Sequence, residues 1–329
     1  MSDENSHDAP DQAPDSSSTA VAETVSDVET VNDLDDEPEF DEGAGTKAQI
    51  KKEQRRILFR SPGFIIGVVV LLFWLLASLV PELLTQWGPK EFVTDGEGNP
   101  LVRSKPSGDA WFGTDKVGRD VYARVIYGTR PVLITAPVAA LLAVVAGTLL
   151  GLTIGYYRGW VDEIISRIIE GILSIPSILM AIIVIFTFGS TRPVIIGTVA
   201  VLFTPTVTRT IRAATLAESQ LDYVTAAKMR GERGLFVITR EIFPNVVGVV
   251  VVELTVRLGY AVFTIATLAF LGLVGSNLTD ADWGVDVSEN YELIVRDIWW
   301  PTMFPALAIA SLVIAVNLLA DSIQKATSS

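Results

Sequence analysis

Apolar positions along this chain gather into long runs, separated by short segments that carry nearly all of its charge. Six runs meet or approach the roughly 20 apolar helical residues needed to cross a bilayer core. Residues 63–80, 131–157 and 171–191 are uncharged, and 301–320 has Asn317 as its one strongly polar member. Residues 193–208 form a shorter run that can extend past Arg209. Residues 258–279 are uncharged, and their helix is predicted to begin earlier, near Val246. Six such runs do not fit the core of a soluble domain of this size. The pattern predicts an all-α polytopic membrane protein with six transmembrane helices.

Finer features modify the runs. Gly147, Gly151 and Gly155 are four apart and share a helix face, which permits close helix approach in lipid; general tolerance of glycine in membrane helices is the other reading. Pro176 is expected to interrupt the third helix, where neighbours can satisfy the freed carbonyl, and a kink beside a pathway is one consequence.

Lys and Arg set the orientation. Lys47, Lys51, Lys52, Arg55, Arg56 and Arg60 precede the first run and place the N-terminus in the cytoplasm. Six crossings then put the charged segment 221–245 in the cytoplasm and 274–300 outside, where one basic residue stands against six acidic ones. The loop 81–130 also falls outside, with seven charges of each sign.

Composition changes the picture mainly at the start of the chain. Residues 1–46 hold 15 acidic side chains and no Lys or Arg, so the net charge of −13 belongs to this stretch. The rest has 25 basic against 23 acidic residues. Rich in Asp, Glu, Ser, Pro and Ala, residues 1–46 are expected to form a disordered acidic cytoplasmic tail, either merely solvated or docking and regulatory. They lack the basic start and apolar run of a signal peptide. A basic juxtamembrane segment, 47–62, follows, and then the transmembrane domain, 63–329. Cysteine is absent and the single histidine, His7, lies in the tail. Disulfides, thiolate metal sites and Ser-His centres are thereby excluded from the body. No phosphate-binding glycine motif occurs, so the chain is not expected to hydrolyse nucleotides itself. No cofactor, metal, catalytic residue or nucleic-acid partner is expected.

The segment "LDYVTAAKMRGERGLFVITREIFPN" interrupts the apolar pattern with four basic and three acidic residues. "DYVTAAKM" favours a helix, Gly231 breaks it, "ERGLFVITREIF" can restart it, and Pro244 is expected to stop it. Tyr223, Ala226, Ala227 and Arg230 recur at helical spacing and could form a small-residue face for a partner's groove. A linker lying on the lipid surface is the alternative.

This segment resembles the cytoplasmic loop of ABC importer permeases, written E-A-A, three residues, Gly, and a more distant Leu-Pro. Here Ala226-Ala227, three residues and Gly231 are followed by Phe243-Pro244. Thr225 stands where the family often has Glu, and Phe243 where it has Leu, so a Glu-mediated ion pair does not transfer to Thr225. "WFGTDKVGRDVYARVIYGTR" (111–130) resembles the G-T-D-x-x-G-R-D segment of one of the two permeases in dipeptide and oligopeptide importers. "GYYRGWVDEIISRIIEGILSIPSILMAI", "LAFLGL", Trp283-Gly284 and "FPALAIASLVIAVNLLADSI" fit the same subunit, so the likeness covers about residues 55–328. Ile265 stands where relatives commonly have Glu.

The chain is thus identified as similar to the peptide/nickel-type ABC import permeases, and to their dipeptide permease C component. The resemblance implies a permease-type bundle with an extracytoplasmic loop 81–130 and a cytoplasmic coupling loop 215–245. It implies a heterodimer with a second permease, two ATP-binding subunits and an extracytoplasmic solute-binding protein, all working by alternating access in the cell membrane. Asp222, Tyr223, Ala226, Ala227, Arg230, Gly231 and Pro244 are its coupling-loop residues here. Glu253 and Arg257, four apart, either neutralise one another at the headgroup level or, with Pro176, belong to a gate or pathway. Asp115, Arg119 and Asp120 are expected in an amphipathic helix capped by Thr114 or Asp115. Asp280, Asp282, Asp286 and Glu289 are expected on a solvated face. A proton-coupled secondary transporter is the competing function; it would place carboxylates at the bilayer midplane. A membrane-embedded enzyme is the third.

Overall fold

The computed structural model of the protein describes residues 60–274 and 281–328. The expected acidic tail, nearly all of the basic segment, and the end of the fifth apolar run lie outside the described residues.

Helix α1, Pro62–Leu79, opens with Pro in its first turn, where the missing N–H costs no hydrogen bond. After α2, Pro81–Leu84, and an irregular stretch, Asp120 caps α3, Val121–Tyr127, by accepting from the Ala123 N–H at 2.9 Å. Helix α4, Thr129–Tyr157, continues directly from it. Asp115 and Arg119 therefore precede the helix rather than sitting in it. The Asp115 carboxylate accepts from the backbone N–H groups of Val117 and Arg119, a side-chain turn that competes with helix formation.

Helix α5, Trp160–Leu173, and helix α6, Ser177–Phe188, meet at an angle of 89°. Pro176 is the N-cap of α6, so the expected single third span, 171–191, is a broken pair. Helix α7, Arg192–Glu218, follows and runs well past Arg209.

The glycine triplet of α4 fixes the packing against α7. A Cβ at Gly147 would lie 2.6 Å from Val207, at Gly151 2.8 Å from Ile211, and at Gly155 2.7 Å from Thr215. Both helices advance four residues per contact in the same direction, so they are parallel. The chain must recross the bundle between them, and the α5–α6 pair is that return passage. It makes the sixth crossing beside five long apolar helices.

Helix α8, Asp222–Met229, is short, and helix α9, Gly234–Phe270, is long. Val237–Ile242 forms a π turn within α9, where the Phe243 N–H reaches back five residues to Ile238. Pro244 does not stop this helix, contrary to the expectation from sequence. The helix carries through it from a widened turn that ends just before it, and the Asn245 side-chain amide donates to the Glu241 carbonyl at 2.8 Å. Helix α10, Trp283–Asn290, a 3-10 turn, Tyr291–Arg296, and helix α11, Trp300–Ser328, complete the described chain.

The core is built mainly from small and branched aliphatic residues: Ala136, Ala139, Ala140, Val199, Ala261, Ile265 and Leu312 belong to one cluster with Trp74 and Trp283. Gly67 lets α1 press against the Ala315 carbonyl of α11, and the Trp74 indole donates to Ser311 at 2.9 Å. Large residues on the outer faces, including Leu72, Leu76, Leu149 and Phe186, are exposed, which is the inverse of a soluble fold and what a lipid-facing surface requires.

Candidate functional site: the α8 hairpin and the charged pair of α9

The α8 hairpin sits on the end of the bundle where α4 and α7 finish. Val224 and Ala227 are fully buried, in one hydrophobic cluster with Val237, Ile238 and Ile242 of α9 and with Val207 and Ile211 of α7. Helix α8 ends in a Schellman motif: the Gly231 N–H donates to the Lys228 carbonyl at 3.0 Å, and the Glu232 N–H to that of Ala227 at 3.3 Å. Gly231 has φ +77°, which a side chain adopts only with strain. Gly234 is needed for a different reason, since a Cβ there would lie 2.9 Å from the Tyr157 hydroxyl.

Tyr223 ties α8 to both neighbours. Its hydroxyl donates to the Glu218 carboxylate and accepts from the Asn245 amide at 2.9 Å. Burial and the Glu218 bond push its pKa up to about 12. Lys228 lies over the Tyr156 ring at 5.0 Å, and Arg230 pairs with Glu232 at 2.7 Å.

The four-residue face read from the sequence is therefore split. Ala227 faces inward, Tyr223 is half-buried in a hydrogen-bond network, and Ala226 and Arg230 are exposed, as are Asp222, Thr225 and Gly231. Pro244 is exposed on α9. The exposed surface is completed by Met229, 83% accessible, with Leu235 and Phe236, flanked by Arg233 and Arg240. Sequence reasoning missed these three apolar residues. Their signal was available: in a segment otherwise charged, they have no place on the inward positions 224 and 227.

At the opposite end, the acidic cluster is largely internal. Asp286 is buried and takes the Arg124 guanidinium at 2.6 Å, while Arg124 also donates to the Pro89 carbonyl at 3.0 Å. Burial pushes the Asp286 carboxyl up to about 6, with Arg124 pulling the other way. Asp282 caps α10 through the Gly284 and Val285 N–H groups, and burial raises its pKa. Arg119 bridges Asp115 at 2.6 Å and Glu289 at 2.8 Å. The solvated face expected for Asp282, Asp286 and Glu289 is corrected to a partly buried network, because cations of the segment 115–124 fold over it. Asp280 lies outside the described residues.

Glu253 and Arg257 pair at 3.0 Å near the middle of the 37-residue α9, not at a helix end. The Arg257 guanidinium lies 5.9 Å from the Phe203 ring and 5.5 Å from that of Tyr260. Pro176 marks the break between α5 and α6. Among the described residues no cluster of metal-ligating side chains occurs.

Residues 147–329 match the family described as the inner membrane component of binding-protein-dependent transport systems. A putative peptide transport system permease protein of Brucella suis is 34% identical over 273 residues, covering 82% of this chain and 88% of that protein. The glutathione transport system permease protein of Pectobacterium atrosepticum is 33% identical, covering 83% and 88%. The dipeptide transport system permease protein of Bacillus subtilis is 33% identical, covering 79% of each chain. An all-α membrane bundle that shares about a third of its residues with these permeases over most of its length leaves one assignment: the chain belongs to the family of binding-protein-dependent transport system inner membrane components, as a membrane permease subunit.

Proposed function

We propose that the protein is one of two permeases in an ATP-driven importer of di- or oligopeptides. A solute-binding protein delivers the solute from outside, and two ATP-binding subunits drive alternating access from the cytoplasm. The observation that carries this reading is the exposed surface of the α8 hairpin. Asp222, Ala226, Met229, Arg230 and Gly231 project from a short helix that is anchored from behind by Val224 and Ala227. A rigid, amphipathic knob on the bundle end is suited to seating in another subunit's groove and transmitting its motion. The anchoring continues through Tyr223 and Asn245 into α9, so a displacement of α8 is passed to a helix that spans the bundle. In this reading the N-terminus and the hairpin are cytoplasmic, and 81–128 and 281–298 are extracytoplasmic. The relatives named for peptides and glutathione support a peptide-class substrate.

The competing reading, proton-coupled transport, finds little support. Such transport calls for a carboxylate in a span that is free to exchange its partner for a proton, and Glu253 is paired with Arg257 at 3.0 Å. The test is copurification: the complex isolated through this chain should contain an ATPase, and reconstituted complex should import a peptide only with ATP and binding protein. Peptide uptake driven by a proton gradient without ATP would refute it.

A further inference from the structure

The Glu253–Arg257 pair poses a problem that this chain alone does not solve. Placing two ions at mid-depth in a membrane is costly unless their hydrogen-bonding capacity is met. The depth follows from packing: Arg257 lies against Phe203, near the middle of α7, and Gly259 two residues on abuts Asn317 of α11. Among the described residues the pair makes one hydrogen bond, Arg257 Nε to Glu253 Oε2. A guanidinium has five N–H donors and a carboxylate about four acceptor positions. The remaining polar atoms are not sealed in the core: neither side chain is among those with a buried, unsatisfied atom. They reach a surface that lipid cannot satisfy. Glu253 and Tyr260 are seven apart on α9 and share a face with Phe263, and this chain leaves Tyr260 and Phe263 more than half exposed.

We infer that this face of α9 borders a water-filled solute path, and that Glu253 and Arg257 form a paired site for a zwitterion. The carboxylate receives the ammonium end of a peptide and the guanidinium receives its carboxylate end, through charge-assisted hydrogen bonds. The two groups neutralise each other while the path is empty and exchange partners when solute passes. The aromatic faces of Phe203 and Tyr260 hold the guanidinium in place during the exchange. This inference rests on the permease reading of the preceding section, and it adds the chemical class of ligand and the residues that meet it.

Two measurements on the complete complex in proteoliposomes test it. The chain has no cysteine of its own, so a single introduced thiol is the only one in this subunit, and labelling is read on its separated band. Tyr260→Cys should react with a charged, membrane-impermeant methanethiosulfonate, whereas Val69→Cys, on the outer face of α1, should not. The double variant Glu253→Leu/Arg257→Leu replaces the pair by apolar bulk, a change that a purely structural ion pair tolerates. It should still copurify with the second permease, and its import of dialanine with free ends should fall at least about tenfold. An unreactive Tyr260→Cys, or wild-type import by the double variant, overturns the proposal. Loss of the second permease from the double variant also overturns it, since the pair would then belong to a subunit interface. If the wild-type complex imports no peptide, it is the transport reading that fails, and the thiol measurement still reports whether the face is wet.

Discussion

Two residues of the α8 hairpin separate folding from docking. Ala227 is completely buried, so Ala227→Trp overfills a packed site and should destabilise the hairpin by about 1–3 kcal/mol or more. The expected result is lower protein yield or a lower melting temperature of the purified complex, before any effect on docking. Met229→Glu changes an exposed side chain; stability should stay within about 0.5 kcal/mol of wild type while ATPase copurification drops. Gly231→Leu adds no steric clash but strains a positive φ, costing roughly 1 kcal/mol and tilting the turn that presents Arg230. It should leave insertion intact and reduce ATP-driven uptake. Met229→Glu leaving both copurification and uptake untouched would remove the docking role. Thr225 is exposed on the same helix, so Thr225→Glu should be tolerated.

Between elements, the α4–α7 contact is the most demanding. Three glycine positions each admit a neighbour's β-branched side chain to within 3 Å of where a Cβ would stand. Gly151→Leu should therefore part the two helices, with loss of the assembled complex in detergent, whereas Gly197→Leu, with open space around it, should not. The triplet's spacing was visible in sequence, but its partner was not, because i, i+4 spacing says a face is flat without saying what lies on it. The same limit explains Pro244. A proline after a charged segment reads as a helix stop, yet here a π turn and the Asn245 side chain carry the helix through. That outcome depends on packing of the turn Val237–Ile242 against α4 and α8.

Across the whole molecule, the Arg124–Asp286 pair joins the segment before α4 to the segment after α9. Removing one partner strands a buried charge, so Arg124→Met should cost about 3–5 kcal/mol, and adding Asp286→Leu should recover most of it. Thermal unfolding of the purified complex checks both. A pH dependence follows as well. Asp286 binds its proton more tightly in the folded protein, near pH 6, than at its ordinary value of 3.8. Its contribution is full below that ordinary value and is lost as pH rises through about 6. Wild type should gain stability relative to Asp286→Asn on going from pH 7.5 to 5. An equal response in both proteins would remove Asp286 as the source.

Hydropathy and the charged interruptions determined by themselves that the chain is a polytopic helical membrane protein. The short motifs around Gly231 and in 111–130 pointed to its family. Both signals are local: a bilayer demands about 20 apolar residues in one stretch, and a turn demands its glycine where φ is positive. Tertiary structure alone decided that α4 and α7 run parallel and force the broken α5–α6 pair to recross. It also turned Ala227 inward and Met229 outward, and drew Arg124 over Asp286 from far along the chain. It placed Glu253 and Arg257 near the middle of the long helix α9. Each of these depends on which surfaces meet, and the energy of a meeting resides in both partners at once, so neither stretch of sequence carries it alone.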